Sequence, residues 1–573
     1  MRKLSTLIAL FFAAMLAVAG FSVPARAAEI PNPAEDTVAV TVIQTTDVHA
    51  RIFPWDYLAD KPDNVGLAKV ATYVRHARTE NPNVLLIDNG DTIQGTPLGY
   101  YFAVLDPKEP HPMIAAMNAM GYDAMTVGNH EYNYGLTVLE RCRKEARFPM
   151  LSANTYRIGE ATPFFKPYII KDISGIRIAV LGLTTPAIPG WELPDNYKGL
   201  EFRDTVAEAR KWIAVLRDQE KVDAVIVDIH EGFEADLDTG RPNDSAFENH
   251  AWALLQEVPG IDVLLTGHAH QNIPPRPITV GEGNTRRTVL VAQGHRWGAH
   301  ITRVDLVFHR EDGHWKLTAK SGLNPAMDAS VPPDPEIERL GQPCQDKVLA
   351  WLHQEIGTAG SDFTTRTIYT EDNALMDLVH TAVLRYTGAQ MSLLSYLPGR
   401  YITLTKGPLT VRDIYSFYFY ENTAVKLAIK GKDLLAALEH AADFYDAEGW
   451  NAEAGAFRLA PGPEFRLYNF STLAGASYAV DPTRPKGHRI THFLYQGRPI
   501  EPETEYTLAV SNYQAAGGGA YDMLRNGRWL PLEAQDIRSL VIRYIQEQKT
   551  VDPVCDYNWY LAFPCRLDLP NRR

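Results

Sequence analysis

Between Val38 and about Leu306, short apolar runs of strand character alternate with stretches whose apolar residues recur at helical spacing. The runs are Val38–Ile43, Val84–Ile87, Met125–Val127, Ile176–Leu181, Val222–Ile229 and Ile261–Leu265. Leu67–Arg78 and Thr205–Leu216 are the clearest amphipathic helices. Such alternation marks βαβ units around a largely buried sheet, hence a layered α/β domain. The pattern breaks near Val331-Pro332-Pro333-Asp334-Pro335, which sustains neither a helix nor an internal strand and so reads as a linker. Beyond it a bridging helix is expected over Ile337–Ile356. A second, mixed domain follows, with helices at Leu375–Tyr386 and Gly431–Tyr445 and strands at Thr423–Ile429 and Tyr506–Ser511. The predicted layout is a leader (1–27), a first domain (38–325), a linker and bridging helix (326–360), a second domain (361–550) and a tail (551–573).

The leader follows from Arg2 and Lys3 ahead of the apolar run Leu7–Val18, with small residues at Ala25 and Ala27 for cleavage. That run is shorter than the ~20 residues of a spanning helix, so the expectation is an exported chain, periplasmic or extracellular, with no transmembrane segment after cleavage. Four cysteines are too few to frame the fold; Cys555 and Cys565 are read either as a staple of the tail or as two thiols. With 45% hydrophobic and 22% charged residues the chain is globular. Its net charge of -13 argues against a nucleic-acid polymer as partner, since such binding rests on Lys and Arg. A small anionic ligand stays compatible where metal ions reverse the local sign.

Five short motifs sit directly after apolar runs: Thr46-Asp47-Val48-His49, Asp88-Asn89-Gly90-Asp91, Gly128-Asn129-His130-Glu131, His230-Glu231-Gly232 and Gly267-His268-Ala269-His270. In open α/β sheets ligands collect beyond the carboxyl ends of strands, so motifs far apart in sequence converge there. Asp47 and His49, like His268 and His270, are two residues apart and share a face if the chain is extended. Glycines at 90, 128 and 267 allow close backbone approach. Carboxylate, imidazole and amide oxygen suit Zn, Mn, Fe or similar ions, and the absence of Cys disfavours a structural zinc site. Among the seventeen histidines, His76, His250, His309 and His440 are read as ordinary surface or core residues.

With these motifs the sequence resembles the calcineurin-like metallophosphoesterases, and within them the exported 5'-nucleotidase and 2',3'-cyclic-nucleotide phosphodiesterase branch. The resemblance implies an N-terminal β-sandwich flanked by helices, followed by a mixed α+β domain of the 5'-nucleotidase type. It also implies two divalent metal ions. The first would be held by Asp47, His49, Asp91 and His270, the second by Asp91, Asn129, His230 and His268, with Asp91 bridging. In-line attack on phosphorus by a hydroxide generated at the metals follows, with His130 absorbing charge on the phosphoryl oxygens. Three residues after this histidine the 5'-nucleotidases carry Asp, whereas this chain has Asn133. Losing that carboxylate predicts a His130 that gives up its proton more easily, unless another acid substitutes. The text Gly128-Asn129-His130-Glu131-Tyr132-Asn133-Tyr134-Gly135 looks more like the cyclic phosphodiesterase and 3'-nucleotidase branch.

In the second domain, Tyr418-Phe419-Tyr420-Glu421-Asn422-Thr423 is similar to the family's nucleoside-binding segment, which puts Tyr420 on one face of the base. Ser511-Asn512-Tyr513-Gln514-Ala515-Ala516-Gly517-Gly518-Gly519-Ala520-Tyr521 resembles the other half of the clamp, with Tyr513 or Tyr521 as second stacking face. The substrate class implied is a small nucleotide: a nucleoside 2',3'-cyclic phosphate or 3'-nucleotide. The rivals are a 5'-nucleotide or nucleotide sugar, a sulfur ester, and a different class altogether, an inert binding protein on the same fold.

Overall fold

The computed structural model describes residues 36–562, except 244, 399, 452–455 and 460–466, together with 566–568. The predicted leader (1–27) and Cys565 lie outside the described residues.

The apolar runs of the first domain form two six-stranded sheets, the sandwich that the resemblance implies, where the apolar pattern alone read one sheet. The first is ordered His314–Leu323, Thr302–Glu311, Thr37–Thr45, Val84–Asp88, Ala124–Thr126, Met150–Leu151. The second is ordered Asn272–Val280, Arg287–Gly294, Val263–Thr266, Ala224–His230, Ile176–Thr184, Tyr168–Ile173. Because side chains alternate along a strand, each central strand supplies two cores. Val40, Val42, Leu85 and Ile87 meet Ile178, Val180, Ile226 and Leu265 between the sheets. On the outer face of the first sheet Ile43 and Leu86 join Leu67, Val70 and Val74 of the helix Leu67–Glu80. On the outer face of the second, Leu181, Val225 and Val227 join Val206, Ala209 and Ile213 of the helix Thr205–Ala214. Burial on both faces explains why these strands read as continuous apolar runs.

The neighbours Thr37–Thr45, Val84–Asp88 and Ala124–Thr126 run parallel, as do Ile176–Thr184, Ala224–His230 and Val263–Thr266. Their carboxyl ends therefore gather at one edge of the sandwich. Asp228, fully buried, ties the two sheets just beneath that edge: it accepts from Gln44 Nε2 (2.9 Å), Asn89 Nδ2 (2.7 Å) and Thr126 Oγ1 (2.5 Å). Burial pushes its carboxyl up to about 6, against the pull of those three donors.

The Pro-rich segment ends in a helix start. Asp334 caps the helix Pro335–Leu352 by accepting from the amides of Glu336 and Ile337, with Pro335 in the first turn. This helix packs on the first domain: a Cβ at Gly341 would come within 2.9 Å of the Phe53 ring, and Tyr57 Oη donates to Gln345 Oε1. It stops four residues short of the expected Ile356, which instead lies in the strand Glu355–Ala359, paired with Gly407–Thr410. The helix begun at Gly431 likewise ends at Ala442, and Tyr445 opens a strand.

The second domain is built on a five-stranded sheet ordered Ser471–Ala474, Met391–Ser395, Glu505–Ser511, Thr423–Lys430, Arg528–Asp536. Helices Ala374–Thr387, Gly431–Ala442 and Ile537–Gln548 accompany it. Tyr134 Oη donates to Glu421 Oε2 (2.5 Å) and Tyr100 Oη meets Ser539 Oγ (3.0 Å), joining the two domains beside the strand ends. Among the described residues, no helix is long and apolar enough to cross a membrane.

Candidate metal centre

Past the strand ends the chain turns sharply. Asp47 (φ 51°), His49 (φ 51°), Asp91 (φ 55°), His268 (φ 63°) and His270 (φ 54°) all occupy the left-handed region. The chain here is not extended as expected, yet Asp47 and His49 still face one group, while His268 and His270 part between two. A left-handed residue reverses the alternation, so neighbours two apart need not share a face. His270 joins Asp47 and His49, whereas His268 joins Asp91 and His230. Such conformations cost of order 1–3 kcal/mol each for non-glycine residues and cluster at functional sites. The loops also touch backbone to backbone. At Gly90 (φ +97°) a Cβ would sit 2.4 Å from the Gly128 amide, and at Gly128 one would sit 2.3 Å from Asp91 Oδ1.

In the first group His49 Nε2 is 2.9 Å from His270 Nε2, and His270 Nε2 is 3.3 Å from Asp47 Oδ1. His49 Nδ1 donates to the Gln94 carbonyl (3.0 Å). A carbonyl only accepts, so in the neutral ring the inward Nε2 carries a lone pair. In the second group His230 Nδ1 donates to the Asn89 carbonyl (2.7 Å), and Nε2 faces Asp91 Oδ2 (3.1 Å) and Asn129 Oδ1 (3.2 Å). His268 reaches the same Asn129 oxygen through Nδ1 (2.9 Å). Nitrogen and oxygen donors thus converge on two adjacent points, with the outer ring nitrogens of His49 and His230 held by backbone carbonyls. This donor set fits divalent cations.

Electrostatics agree. Burial alone would raise the Asp47 carboxyl, but His270 and His230 hold it down at about 2. Burial would likewise raise Asp91, and His230 and His130 drive it well below the usual range. Burial and the neighbouring His270 push His49 down to about 3, whereas Asp91 overcomes the burial of His230 and lifts it to about 10. The field that retains a proton on His230 favours a cation in its place, and metal binding displaces such protons.

His130 lies at the rim, its side chain 35% exposed. Its amide donates to Asp91 Oδ1 (2.8 Å) and its Nε2 stands 3.9 Å from Asp91 Oδ2. Its pKa is raised: burial opposes the charge, but Asp91, the substituting acid for which the expectation left room, and the bond to Asn133 more than compensate. Asn133 Oδ1 is 2.5 Å from His130 Nδ1, and behind it Asn133 Nδ2 donates to Glu192 Oε2 (2.5 Å). The adjacent Glu131, fully buried, accepts from the amides of Gly128 (2.7 Å), Asp91 (2.8 Å) and Thr92 (2.7 Å), locking the two ligand loops together.

Sequence reasoning missed Glu131, Glu192 and Asp228 as supports. Asp228 did carry a signal, an acid inside the otherwise apolar stretch Ala224–Ile229. Trp191 and Arg296 were missed too. Trp191 stacks on His268 (5.3 Å, 29°) and its carbonyl accepts from Asn512 Nδ2 (3.4 Å). Arg296 donates to His270 Nδ1 (3.0 Å) while lying over the Trp297 ring (4.0 Å).

On the second domain Tyr420 is 46% exposed, its ring beside Phe419 (4.5 Å) and Tyr468 (6.2 Å). Asn512 Oδ1 accepts from the Thr423 amide (2.9 Å), joining the two predicted recognition segments. Gly518 lies flush on Tyr513: a Cβ there would be 2.4 Å from Tyr513 Cε2. Gly517 and Gly519 have φ of 92° and 68°, and the Gly519 carbonyl accepts from His440 Nε2 (2.8 Å). Tyr521 is corrected as a stacking face. It is 1% exposed and packed edge-on against His440 (4.6 Å), so a base has no access to its ring.

Comparison with known proteins agrees with this architecture. The calcineurin-like phosphoesterase family matches residues 40–272, and the 5'-nucleotidase C-terminal domain matches residues 353–526. The chain is 29% identical over 588 residues to a 2',3'-cyclic-nucleotide 2'-phosphodiesterase/3'-nucleotidase of Yersinia enterocolitica, covering 92% of this chain and 88% of that protein. It is 29% identical over 592 residues to the trifunctional nucleotide phosphoesterase protein YfkN of Bacillus subtilis, covering 93% of this chain but 40% of that longer protein. Among solved structures, a putative 5'-nucleotidase from Staphylococcus aureus in complex with alpha-ketoglutarate superimposes with a TM-score of 0.78 at 25% identity, over 91% of this chain and 100% of that one. Two sheets, donor-bearing strand ends and a second domain of matching type lead to one assignment: the chain joins a calcineurin-like phosphoesterase domain to a 5'-nucleotidase C-terminal domain, and is a phosphoric ester hydrolase.

Proposed function

We propose that the protein is an exported phosphoesterase that hydrolyses nucleoside 2',3'-cyclic phosphates and 3'-nucleotides. The observation that carries the phosphoester chemistry is the pair of adjacent groups, Asp47–His49–His270 and Asp91–His230–His268, at one edge of the sandwich. One divalent ion is assigned to the first group with Asp91, and another to the second with Asn129. Bound there, such ions lower the pKa of water and neutralise phosphoryl charge. The chain's own residues do the rest. His130 faces the phosphoryl group from the rim, and Glu131 and Asp228 keep the ligand loops from shifting. For the base, Tyr420 and Tyr513 supply stacking faces and Gly517, Gly518 and Gly519 a close-fitting loop.

Preference for the cyclic and 3' esters is supported by the relatives that carry that activity in their names at 28–29% identity, against 25–26% for the UshA relatives. Asn133 points the same way. Water adds to phosphorus as the bond to O2' breaks, leaving a 3'-phosphate; a second hydrolysis breaks the bond to O3'. Export is supported by the basic start and apolar run of residues 2–18. A panel of 2',3'-cyclic, 3' and 5' phosphates of one nucleoside tests the reading. Highest kcat/KM on the cyclic and 3' esters is expected, and a preference for the 5' ester overturns it.

A further inference from the structure

Glu192 is 5% exposed and lies in the loop between the strands Ile176–Thr184 and Leu200–Phe202. Its two oxygens have different work. Oε1 accepts from the Leu193 amide (2.7 Å) and Asn196 Nδ2 (2.8 Å), which fixes the loop. Oε2 is aimed at Asn133 Nδ2, 2.5 Å away. Asn196 Nδ2 also donates to the Asn133 carbonyl (3.0 Å), holding that residue's backbone against the same loop.

We propose that Glu192 is a positioning residue that sets the amide orientation of Asn133 and, through it, the tautomer of His130. The inference rests on the reading of His130 as the group facing the phosphoryl oxygens. An Asn amide has two unlike ends, a donating NH2 and an accepting oxygen. Three N–H groups converge on Glu192, the environment of a carboxylate, which only accepts. The NH2 of Asn133 must therefore face Glu192, and its oxygen must face His130 Nδ1. That oxygen cannot donate, so Nδ1 carries the hydrogen, and in the neutral ring the lone pair sits on Nε2, the nitrogen on the Asp91 side. A carboxylate directly behind a histidine fixes its tautomer in one step. Here a carboxylate 59 residues further on does so in two, through an amide that has no tautomeric preference of its own. Without Glu192 the amide turns over freely; with NH2 towards Nδ1, that nitrogen must offer a lone pair, so the ring can no longer hold the second proton and donate from Nε2 to a phosphoryl oxygen.

The test is nitrogen NMR of the full chain labelled with 15N-histidine, at alkaline pH where the ring is neutral, with the His130 signals assigned by their loss in His130→Gln. The wild type is expected to show the Nδ1–H tautomer. Glu192→Gln, which preserves shape but offers both a donor and an acceptor, is expected to give mixed or Nε2–H tautomers. Its kcat should fall roughly ten- to hundred-fold, the usual cost of removing an orienting partner, with KM and metal content unchanged. In an Asn133→Asp background the carboxylate meets Nδ1 directly, so adding Glu192→Gln should alter neither tautomer nor kcat. An unchanged tautomer in Glu192→Gln, or equal losses in both backgrounds, overturns the proposal. If Glu192→Gln fails to fold, Asn133→Ala, which leaves Glu192 and its loop intact, serves instead; Nδ1–H persisting there is equally fatal. The two failures are separable. Full activity in His130→Ala would end the catalytic reading of His130, whereas the tautomer measurement judges Glu192 alone.

Discussion

At the strand ends of the sandwich Asp47, Asp91 and His230 expose no more than 1% of their surface, whereas Tyr420 on the second domain exposes 46%. The first group are charged or titratable side chains taken out of water, each depending on the others for its ionisation. The second is an aromatic face whose contribution is its own area. Histidines make the contrast sharpest. His230 and His380 are both buried, yet Asp91 lifts the first to about 10, while the second, between the hydroxyls of Ser392 and Thr472, is pushed by burial down to about 3. Burial removes charge from a histidine unless a carboxylate restores it. One region is a coupled electrostatic unit and the other a set of separable contacts, and substitutions should divide accordingly.

The largest effect is expected at Asp91. If it bridges the two groups, Asp91→Ala removes a ligand from both ions, and metal stabilisation worth several kcal/mol corresponds to a loss of roughly 10^3-fold or more in kcat/KM. Metal content should fall further than in His49→Ala, measured by elemental analysis. Equal losses in the two variants would break the idea of a coupled unit. An intermediate effect is expected at Tyr420. Stacking worth ~1–3 kcal/mol predicts a rise in KM of roughly ten- to hundred-fold for Tyr420→Ala, with kcat and thermal midpoint little changed. Tyr521→Ala should behave oppositely, lowering the melting temperature with little selective effect on KM, because its ring is in the core.

The smallest effect is on stability against pH. The folded chain keeps His380 neutral down to about 3, whereas the unfolded chain protonates it near 6.5. The unfolded state therefore binds more protons across that window, and stability is lost as pH falls through it. His380→Gln should reduce the drop in urea midpoint between those values. Part of the drop should persist, since burial also holds His111 at about 3. An identical drop in the variant would mean that His380 takes no part.

Sequence pattern located the strands because each central strand is apolar on both faces, and it picked out the side chains that the structure brings together because they follow strand ends within a few residues. It did not show two sheets. Alternation identifies buried faces without saying which face meets a partner sheet. The pairing of His270 with Asp47 and of His268 with Asp91 depends on left-handed turns that no spacing rule contains. Glu192 was invisible for a different reason: it meets Asn133 only through tertiary contact, and a lone Glu in Trp191-Glu192-Leu193-Pro194 carries no local signal. Tyr513 and Tyr521 were indistinguishable in the sequence, since a tyrosine beside a glycine-rich loop reads the same whether its ring is partly open or lies in the core.

Metal content and turnover, followed together in one preparation, test the account most directly. Chelated protein would be titrated with manganese or zinc while hydrolysis of a nucleoside 2',3'-cyclic phosphate is recorded. The account predicts no turnover after chelation and activity that reaches its plateau at two ions per chain. Turnover that survives chelation, or a fully loaded protein that hydrolyses no phosphoester, would contradict it.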